Sequence, residues 1–302
     1  MFLDYDTVSN GDLCTARLGE AAENLILHES DESKTAERLQ DADVALINKL
    51  TFNRELLLGA ANLKLVALAG TGTNNVDLMA AQERGIAVCN VRAYCTASVV
   101  QHVWALILSL TQHIGEFSSL SKNGSWARDA GAALSYPIRE LQGRTFGVVG
   151  WGELGRGSAR IAETFGMQVQ IANRRGAAPE PGRVDLDELL AQADIVSLHC
   201  PLTDSTRGLI GARELGLMKP DALLINTARG ALVDGEALAA ALKAGKLGGA
   251  GIDDLLFDSQ IPNLLVTPHI AWAAREARQR CIDEMAANIR DFRNGGRRGR
   301  VV

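Results

Sequence analysis

Aromatic residues make up only 5% of the 302 residues, and cysteine, proline, methionine, tryptophan and tyrosine are each rare. The five cysteines (Cys14, Cys89, Cys95, Cys200, Cys281) are odd in number and scattered, which excludes a disulfide framework and the paired spacing of a zinc site. No apolar run reaches the ~20 residues that a membrane helix needs. Acidic residues as early as Asp4 and Asp6 leave no basic, apolar leader of the secretory kind. Lysine and arginine (31) are outnumbered by aspartate and glutamate (36), so a broad phosphate-binding face for nucleic acid is not expected. A reduced, cytoplasmic protein without metal, membrane or nucleic-acid partner is the simplest expectation.

What the chain does have is glycine, 30 residues of it, within a composition that is 47% hydrophobic. That combination suits tight strand-to-helix turns and helices packed closely on a sheet. Apolar runs at 24–28, 43–48, 63–69 and 86–90 read as buried parallel strands, with helices at 34–41 and 76–84. A helical pattern from Thr96 to Ser121 looks like a connection between domains. Beyond it the rhythm is regular. Strands are expected at 145–149, 169–172, 195–199, 223–226, 249–252 and 264–267, with helices at 154–165, 186–192, 212–218 and 236–243. Six strands with crossover helices match a doubly wound dinucleotide domain. A last helix, about 273–292, is expected to return to the first lobe. The expected fold is therefore α/β, with two doubly wound parallel-sheet domains, one flavodoxin-like (1–95 and 273–302) and one Rossmann (96–272), and a cleft between them.

Gly150-Trp151-Gly152-Glu153-Leu154-Gly155 is a G-x-G-x-x-G that follows a strand and opens a helix. Gly150 permits the turn, Gly152 lets backbone amides approach a pyrophosphate, and Gly155 allows close helix–strand packing. Where an NAD site usually places an acid, about 20 residues on, this chain has Asn173, Arg174 and Arg175. An amide does not repel a 2′-phosphate, and guanidiniums offer it charge-assisted hydrogen bonds, so NADP(H) is favoured and NAD(H) is the alternative. Either arginine fits that role, and a solvated surface pair is the plain alternative. Arg229 in Asn226-Thr227-Ala228-Arg229-Gly230 and His269 in Thr267-Pro268-His269-Ile270-Ala271 both follow strands and are expected at the ligand-facing edge. Arg229 can engage a 2-oxo acid, and His269 can give a proton to the oxygen that becomes an alkoxide.

With these motifs the sequence resembles the D-isomer-specific 2-hydroxyacid dehydrogenases over essentially its whole length. The resemblance runs through Thr71-Gly72-Thr73-Asn74-Asn75-Val76-Asp77, the glycine loop, His199-Cys200-Pro201-Leu202-Thr203 and the Arg and His segments. Within that family it is most similar to glycerate dehydrogenases, also called hydroxypyruvate reductases, through Tyr136-Pro137-Ile138-Arg139-Glu140-Leu141 and Pro268 to Trp272. The resemblance implies reversible reduction of hydroxypyruvate or glyoxylate, with Arg229 and His269 catalytic and Thr71 and Gly72 holding the substrate carboxylate. It implies cofactor contacts from Glu153, Leu154, Cys200, Pro201, Thr227, Ala228 and Asp253. It also implies a homodimer through the apolar helix from Thr96 and the arm at about 115–141. The family has a glutamate five positions after the residue matching Asp253, where this chain has Asp258 in a shorter loop. Asp258 is thus the candidate partner of the His269 imidazole. A nucleotide-binding regulatory protein with weak chemistry is the competing reading of that departure.

Overall fold

The computed structural model describes residues 1–128, 130–254, 261 and 263–302. In chain order its helices and strands are α1 (Ala16–Ala21), α2 (Glu32–Leu39), β1 (Val44–Ile47), α3 (Arg54–Gly59), β2 (Leu65–Leu68), α4 (Leu78–Glu83), β3 (Ala87–Cys89), α5 (Thr96–Gln112), α6 (Ile114–Lys122) and α7 (Ser125–Arg128). There follow β4 (Thr145–Val149), α8 (Glu153–Thr164), β5 (Gln168–Ile171), α9 (Leu186–Gln192), β6 (Ile195–Leu198), α10 (Ala212–Leu217), β7 (Leu223–Asn226), α11 (Gly235–Lys243), β8 (Gly249–Ile252), β9 (Leu264–Val266) and α12 (Arg275–Arg293). No helix among the described residues is long and apolar enough to cross a membrane.

Two units separate, Met1–Cys95 with Trp272–Val302, and Thr96–Ala271. Trp272, placed by sequence at the end of the second unit, belongs to the first, where the Lys49 ammonium lies 5.7 Å from its ring centroid. In the first unit β1, β2 and β3 are parallel neighbours in that order. Phe2 adds parallel bridges to Leu46 on one side and Leu27 on the other, so the five segments lie in the order 2-1-3-4-5 of a flavodoxin-like sheet. The strand expected at 24–28 shrinks to this single bridge. It lies outermost, where Ile26 and Leu27 remain about 40% exposed and have one neighbour to pair with. At the opposite edge the C-terminal tail runs antiparallel to β3, with Val301 N–H donating to the Val88 carbonyl and Asn90 N–H to that of Gly299. Helix α12 buries Ala277, Cys281, Ile282, Met285, Ala286 and Ile289 in the same core as Leu46, Leu65 and Ala67.

The second sheet is wholly parallel, in the order β5-β4-β6-β7-β8-β9. A bridge from Ala172 to Val184 adds an outer segment beyond β5, which completes the Rossmann order with the switch point between β4 and β6. Helix α5 is part of this unit rather than a connector. Its Val103, Leu106 and Ile107 pack on Phe146 and Ile225, and a Cβ on Gly251 would lie 3.0 Å from that of Leu106. The helix expected to run on to Ser121 breaks at His113, whose left-handed φ of 49° starts a new helix. Histidine tolerates that conformation better than most residues, and here its ring stacks on Tyr136 at 5.4 Å.

One buried acid organises the turn at the carboxyl end of β1. The Asp4 carboxylate is fully buried and accepts from the amides of Asn48, Lys49 and Leu50, fixing the turn after β1. Asp4→Ala strands those three donors and is expected to cost about 3 kcal/mol in unfolding free energy, read from urea melts. A loss below about 1 kcal/mol refutes this account of the turn.

Candidate active site

The register of the second sheet brings five chain exits to one rung. Val149, Leu198, Asn226, Ile252 and Val266 are successive cross-strand partners, so Gly150, His199, Thr227, Asp253 and Thr267 leave the sheet in a single row. Each of the motifs read from this half of the sequence stands at or just beyond that row.

The glycine loop spans the switch point. Gly150 has φ +104°, and a Cβ there would lie 2.5 Å from the Cys200 amide nitrogen. A Cβ on Gly155 would run into the Gly150 carbonyl and Val148. Both glycines are therefore demanded by the fold. Gly152 is not: its φ is an ordinary −84° and nothing lies within 4 Å of where its Cβ would be. The open space faces the start of α8, whose N-cap Gly152 offers no side chain to the first-turn amides. Uncapped amides beside a gap at a helix N-terminus fit a dinucleotide pyrophosphate. The Glu153 carboxylate accepts a 2.6 Å hydrogen bond from the Thr96 hydroxyl, which leaves its backbone amide for a ligand, and Leu154 is half-buried.

At the end of β5, Asn173 donates its N–H to Val184 O (2.7 Å), and its Oδ1 accepts from the Glu180 amide. Arg175 donates to the buried Glu214 carboxylate at 3.2 Å. Arg174 is exposed; its carbonyl accepts from the Ala177 amide (3.0 Å), while its guanidinium has no hydrogen bond or ion pair among the described residues. The two arginines that sequence left equivalent are thus distinct, one tied down and one available.

Arg229 stands on a braced loop. Asn226 donates to the Arg229 carbonyl (2.8 Å) and accepts from Ala228 N–H, while Asp254 accepts from Gly230 N–H at 2.7 Å. The Arg229 guanidinium donates to the Ala228 carbonyl at 2.7 Å. Thr227 Oγ1 is buried without a protein partner among the described residues. Asp253 is only 2% exposed and accepts from the Thr267 hydroxyl (2.6 Å) and from the amides of Ile270 and Ala271 (2.8 Å each). Both its oxygens therefore face the turn that carries His269, a residue with left-handed φ of +55°. His102 on α5 completes this network through Nε2, 2.9 Å from Thr267 Oγ1. Since that hydroxyl gives its proton to Asp253, His102 carries its own on Nε2. Nothing in the sequence flagged Asp254, Glu214 or Thr96, because each acts through a partner distant in the chain.

His199, just beyond β6, is half-buried, with Nε2 2.9 Å from Ser197 Oγ and the ring atom Nδ1 enclosed and unpaired among the described residues. Burial holds its pKa down to about 4. Cys200 beside it is half-buried with its thiol pushed up by burial, which makes it a poor nucleophile, and Pro201 is exposed. In the first unit, Thr71 donates its hydroxyl to Val91 O (2.8 Å) and accepts from Asn90 at its carbonyl, which fixes the turn that leads to Gly72. Asp258 lies outside the described residues. Among those residues no group of three or more metal-ligating side chains is found.

Residues 104–271 match the family model described as D-isomer specific 2-hydroxyacid dehydrogenase, NAD binding domain. The chain is 42% identical over 267 residues to the glycerate dehydrogenase of Methylorubrum extorquens, covering 85% of this chain and 84% of that one. It is 36% identical over 278 residues to the glyoxylate reductase of Thermococcus litoralis, covering 86% and 83%. Among solved structures, an acyclic imino acid reductase in complex with NADPH and D-Arg superposes with a TM-score of 0.84 at 28% identity, covering 100% of this chain and 99% of that one.

The His199 imidazole gives a signed pH effect. Its ordinary pKa is ~6.5, so the unfolded chain takes the proton first, and stability from this residue falls as pH drops below about 6.5 until the folded imidazole titrates near 4. In urea melts the loss of stability between pH 7 and pH 5 is expected to shrink by about 2 kcal/mol in His199→Asn. Parallel losses in the two proteins would show that this imidazole is not held neutral by the fold.

Proposed function

The chain belongs to the D-isomer specific 2-hydroxyacid dehydrogenases, and from that membership we propose that it reduces hydroxypyruvate or glyoxylate to the D-2-hydroxy acid with NADP(H) as its preferred dinucleotide. The observation that carries the reading is the single row of exits, which sets the pyrophosphate loop, the Arg229 loop and the His269 turn at alternate strands along one sheet edge. The bound nicotinamide supplies the hydride. Everything else in the reaction falls to this chain's own side chains.

Arg229 is assigned to the substrate carboxylate and carbonyl, where a planar guanidinium both orients the acid and draws electron density from the carbon that is reduced. His269 is assigned the proton that the new alkoxide takes up. Asp253 acts through the backbone, as the carboxylate that fixes the amides following His269. The Thr71 and Gly72 amides are assigned to the substrate carboxylate. Gly152, Glu153, Leu154, Cys200, Pro201, Thr227 and Ala228 are assigned to the cofactor, with the buried, unpartnered Thr227 hydroxyl as a donor it can use. Asp258 is assigned to the imidazole of His269. A carboxylate there raises the imidazole pKa, so Asp258→Asn lowers the upper limb of the pH–rate profile.

The preference for NADP(H) rests on two features. The residue at the end of β5 is Asn173, an amide that does not repel a 2′-phosphate, and Arg174 is a guanidinium without a partner among the described residues. Arg175, bound to Glu214, serves instead to hold the loop.

Purified protein is expected to oxidise NADPH when given hydroxypyruvate or glyoxylate. His269→Gln should lower kcat about a hundredfold or more, and Arg174→Ala should raise KM for NADPH at least about tenfold while barely changing KM for NADH. Faster use of NADH by the wild type would overturn the cofactor assignment, and no turnover of either acid would overturn the reductase reading in favour of a binding protein.

We also assign the arm at 114–138 to a symmetric homodimer. Helices α6 and α7 bury none of their residues, and Ile114, Trp126, Leu134 and Ile138 are all more than half exposed. Light scattering at micromolar concentration should return twice the chain mass, and a monomer would refute the assignment.

A further inference from the structure

Two backbone amides in the turn after β2 are held in place and put to no use by the fold. Among the described residues neither the Thr71 N–H nor the Gly72 N–H donates a hydrogen bond, and these are the amides assigned above to the substrate carboxylate. A peptide unit is planar and trans, so each N–H points opposite to the carbonyl of the residue before it. Whatever grips the carbonyls of Gly70 and Thr71 therefore aims the amides of Thr71 and Gly72.

Both grips come from one short segment just beyond β3. Val91 N–H donates to the Gly70 carbonyl (3.0 Å), and Asn90 Nδ2 donates to the Thr71 carbonyl (2.7 Å). The Thr71 hydroxyl returns a bond to the Val91 carbonyl (2.8 Å). Asn90 is buried and its Oδ1 has no partner among the described residues, so the Thr71 carbonyl is the one contact its side-chain amide makes there.

Residues 90 and 91 are gripped in turn from the far end of the chain. On α12 the buried Asn288 donates from Nδ2 to the Asn90 carbonyl (3.1 Å), and that carbonyl shares a peptide plane with the Val91 N–H. In the tail the Gly299 carbonyl accepts from the Asn90 N–H (2.9 Å). Gly299 fills this joint closely: its φ is +62°, and a Cβ there would lie 2.7 Å from both the Asn90 carbonyl oxygen and Asn288 Nδ2. Two successive peptide planes thus connect the last helix to the Thr71 amide. Asn288 holds the first by its carbonyl, and the N–H of the first holds the second by the carbonyl of Gly70.

We infer that Asn90, Asn288 and Gly299 are positioning residues for the substrate carboxylate, so that the last helix and the tail set how the oxo acid is held. This inference rests on the proposed reductase reading and deepens it at the Thr71 turn. Amide donors act on a carboxylate only along their N–H direction, and that direction is what the two peptide planes fix. The carboxylate keeps its charge while the neighbouring carbonyl is reduced, so it is held alike in the bound acid and in the transition state. Tilting the two amides therefore weakens binding of the acid and leaves the chemical step nearly alone.

The test is Gly299→Ala, which removes no side chain and crowds the joint. Gly295→Ala is its control, since Gly295 is also left-handed (φ +78°) but nothing lies within 4 Å of where its Cβ would be. Gly299→Ala should raise KM for glyoxylate and hydroxypyruvate about tenfold, with kcat and KM for NADPH within about twofold of the wild type. Asn90→Ala, which removes the donor to Thr71, should show the same split, and Asn288→Ala opens the same joint should Gly299→Ala not fold. Hydrogen exchange at the Val91 amide should quicken at least about tenfold in Gly299→Ala and not in Gly295→Ala. A KM for the acids that stays unchanged in Gly299→Ala or in Asn90→Ala would overturn the inference, as would equal changes in the two glycine variants. Absence of turnover in the wild type would overturn the reductase reading and not the link from tail to turn, which the exchange comparison decides without substrate.

Discussion

Parallel strands have their hydrogen bonds in register, and here the register of β4, β6, β7, β8 and β9 is such that all five end on the same rung. This constraint decides where chemistry can sit. Five loops depart from one line, about 4.8 Å apart, so residues separated by more than a hundred positions in the chain share an edge. The glycines are consequences of the same crowding. Gly150 must pass the backbone of Cys200 on the adjacent strand, and Gly155 must pass beneath the Gly150 carbonyl. Further back, Gly249 and Gly251 let α5 lie flat on β8. At these positions glycine, the first feature that suggested an α/β fold, meets the requirement that neighbouring segments nearly touch.

Within the row the Asp253 carboxylate has the heaviest structural role. A buried charge is tolerated only when its lone pairs are taken, and here a hydroxyl and two amides take them. The donors come from the segment that follows β9, so the carboxylate at the end of one strand holds the loop of the next. His102 extends the chain of hydrogen bonds to α5. The left-handed backbone at His269 is a price that this web of bonds offsets, and it turns the residue out of the strand direction at the point where the loop begins.

How much of this was legible beforehand follows a physical pattern. The strands at 145–149, 223–226 and 249–252 and the helix at 186–192 were read to the residue, because buried parallel strands are continuous apolar runs with polar punctuation. The segment at 24–28 has the same composition but lies at an edge with a single bridge, and composition does not report how many neighbours a strand has. The break at His113 was missed because the apolar spacing runs on through it, while the left-handed turn is held by a tertiary stack on Tyr136. The glycine loop, Arg229 and His269 could be singled out because each belongs to a local motif. The different contacts of Arg174 and Arg175 could not be, since they depend on Glu214, nearly forty residues away, and the same holds for Asp4, whose partners lie more than forty residues downstream.

The antiparallel tail on β3 has a consequence for the life of the protein outside its chemistry. A short parallel sheet that stops at a three-residue strand would offer bare amides and carbonyls to any extended peptide that met it, including the same strand of another molecule. Residues 299–302 occupy that rim themselves, with Gly299 accepting from Asn90 and Val301 donating to Val88. The final residues of this chain therefore work as a self-supplied hem. Anything that unpicked them would turn a closed border into a template for stacking one molecule on the next.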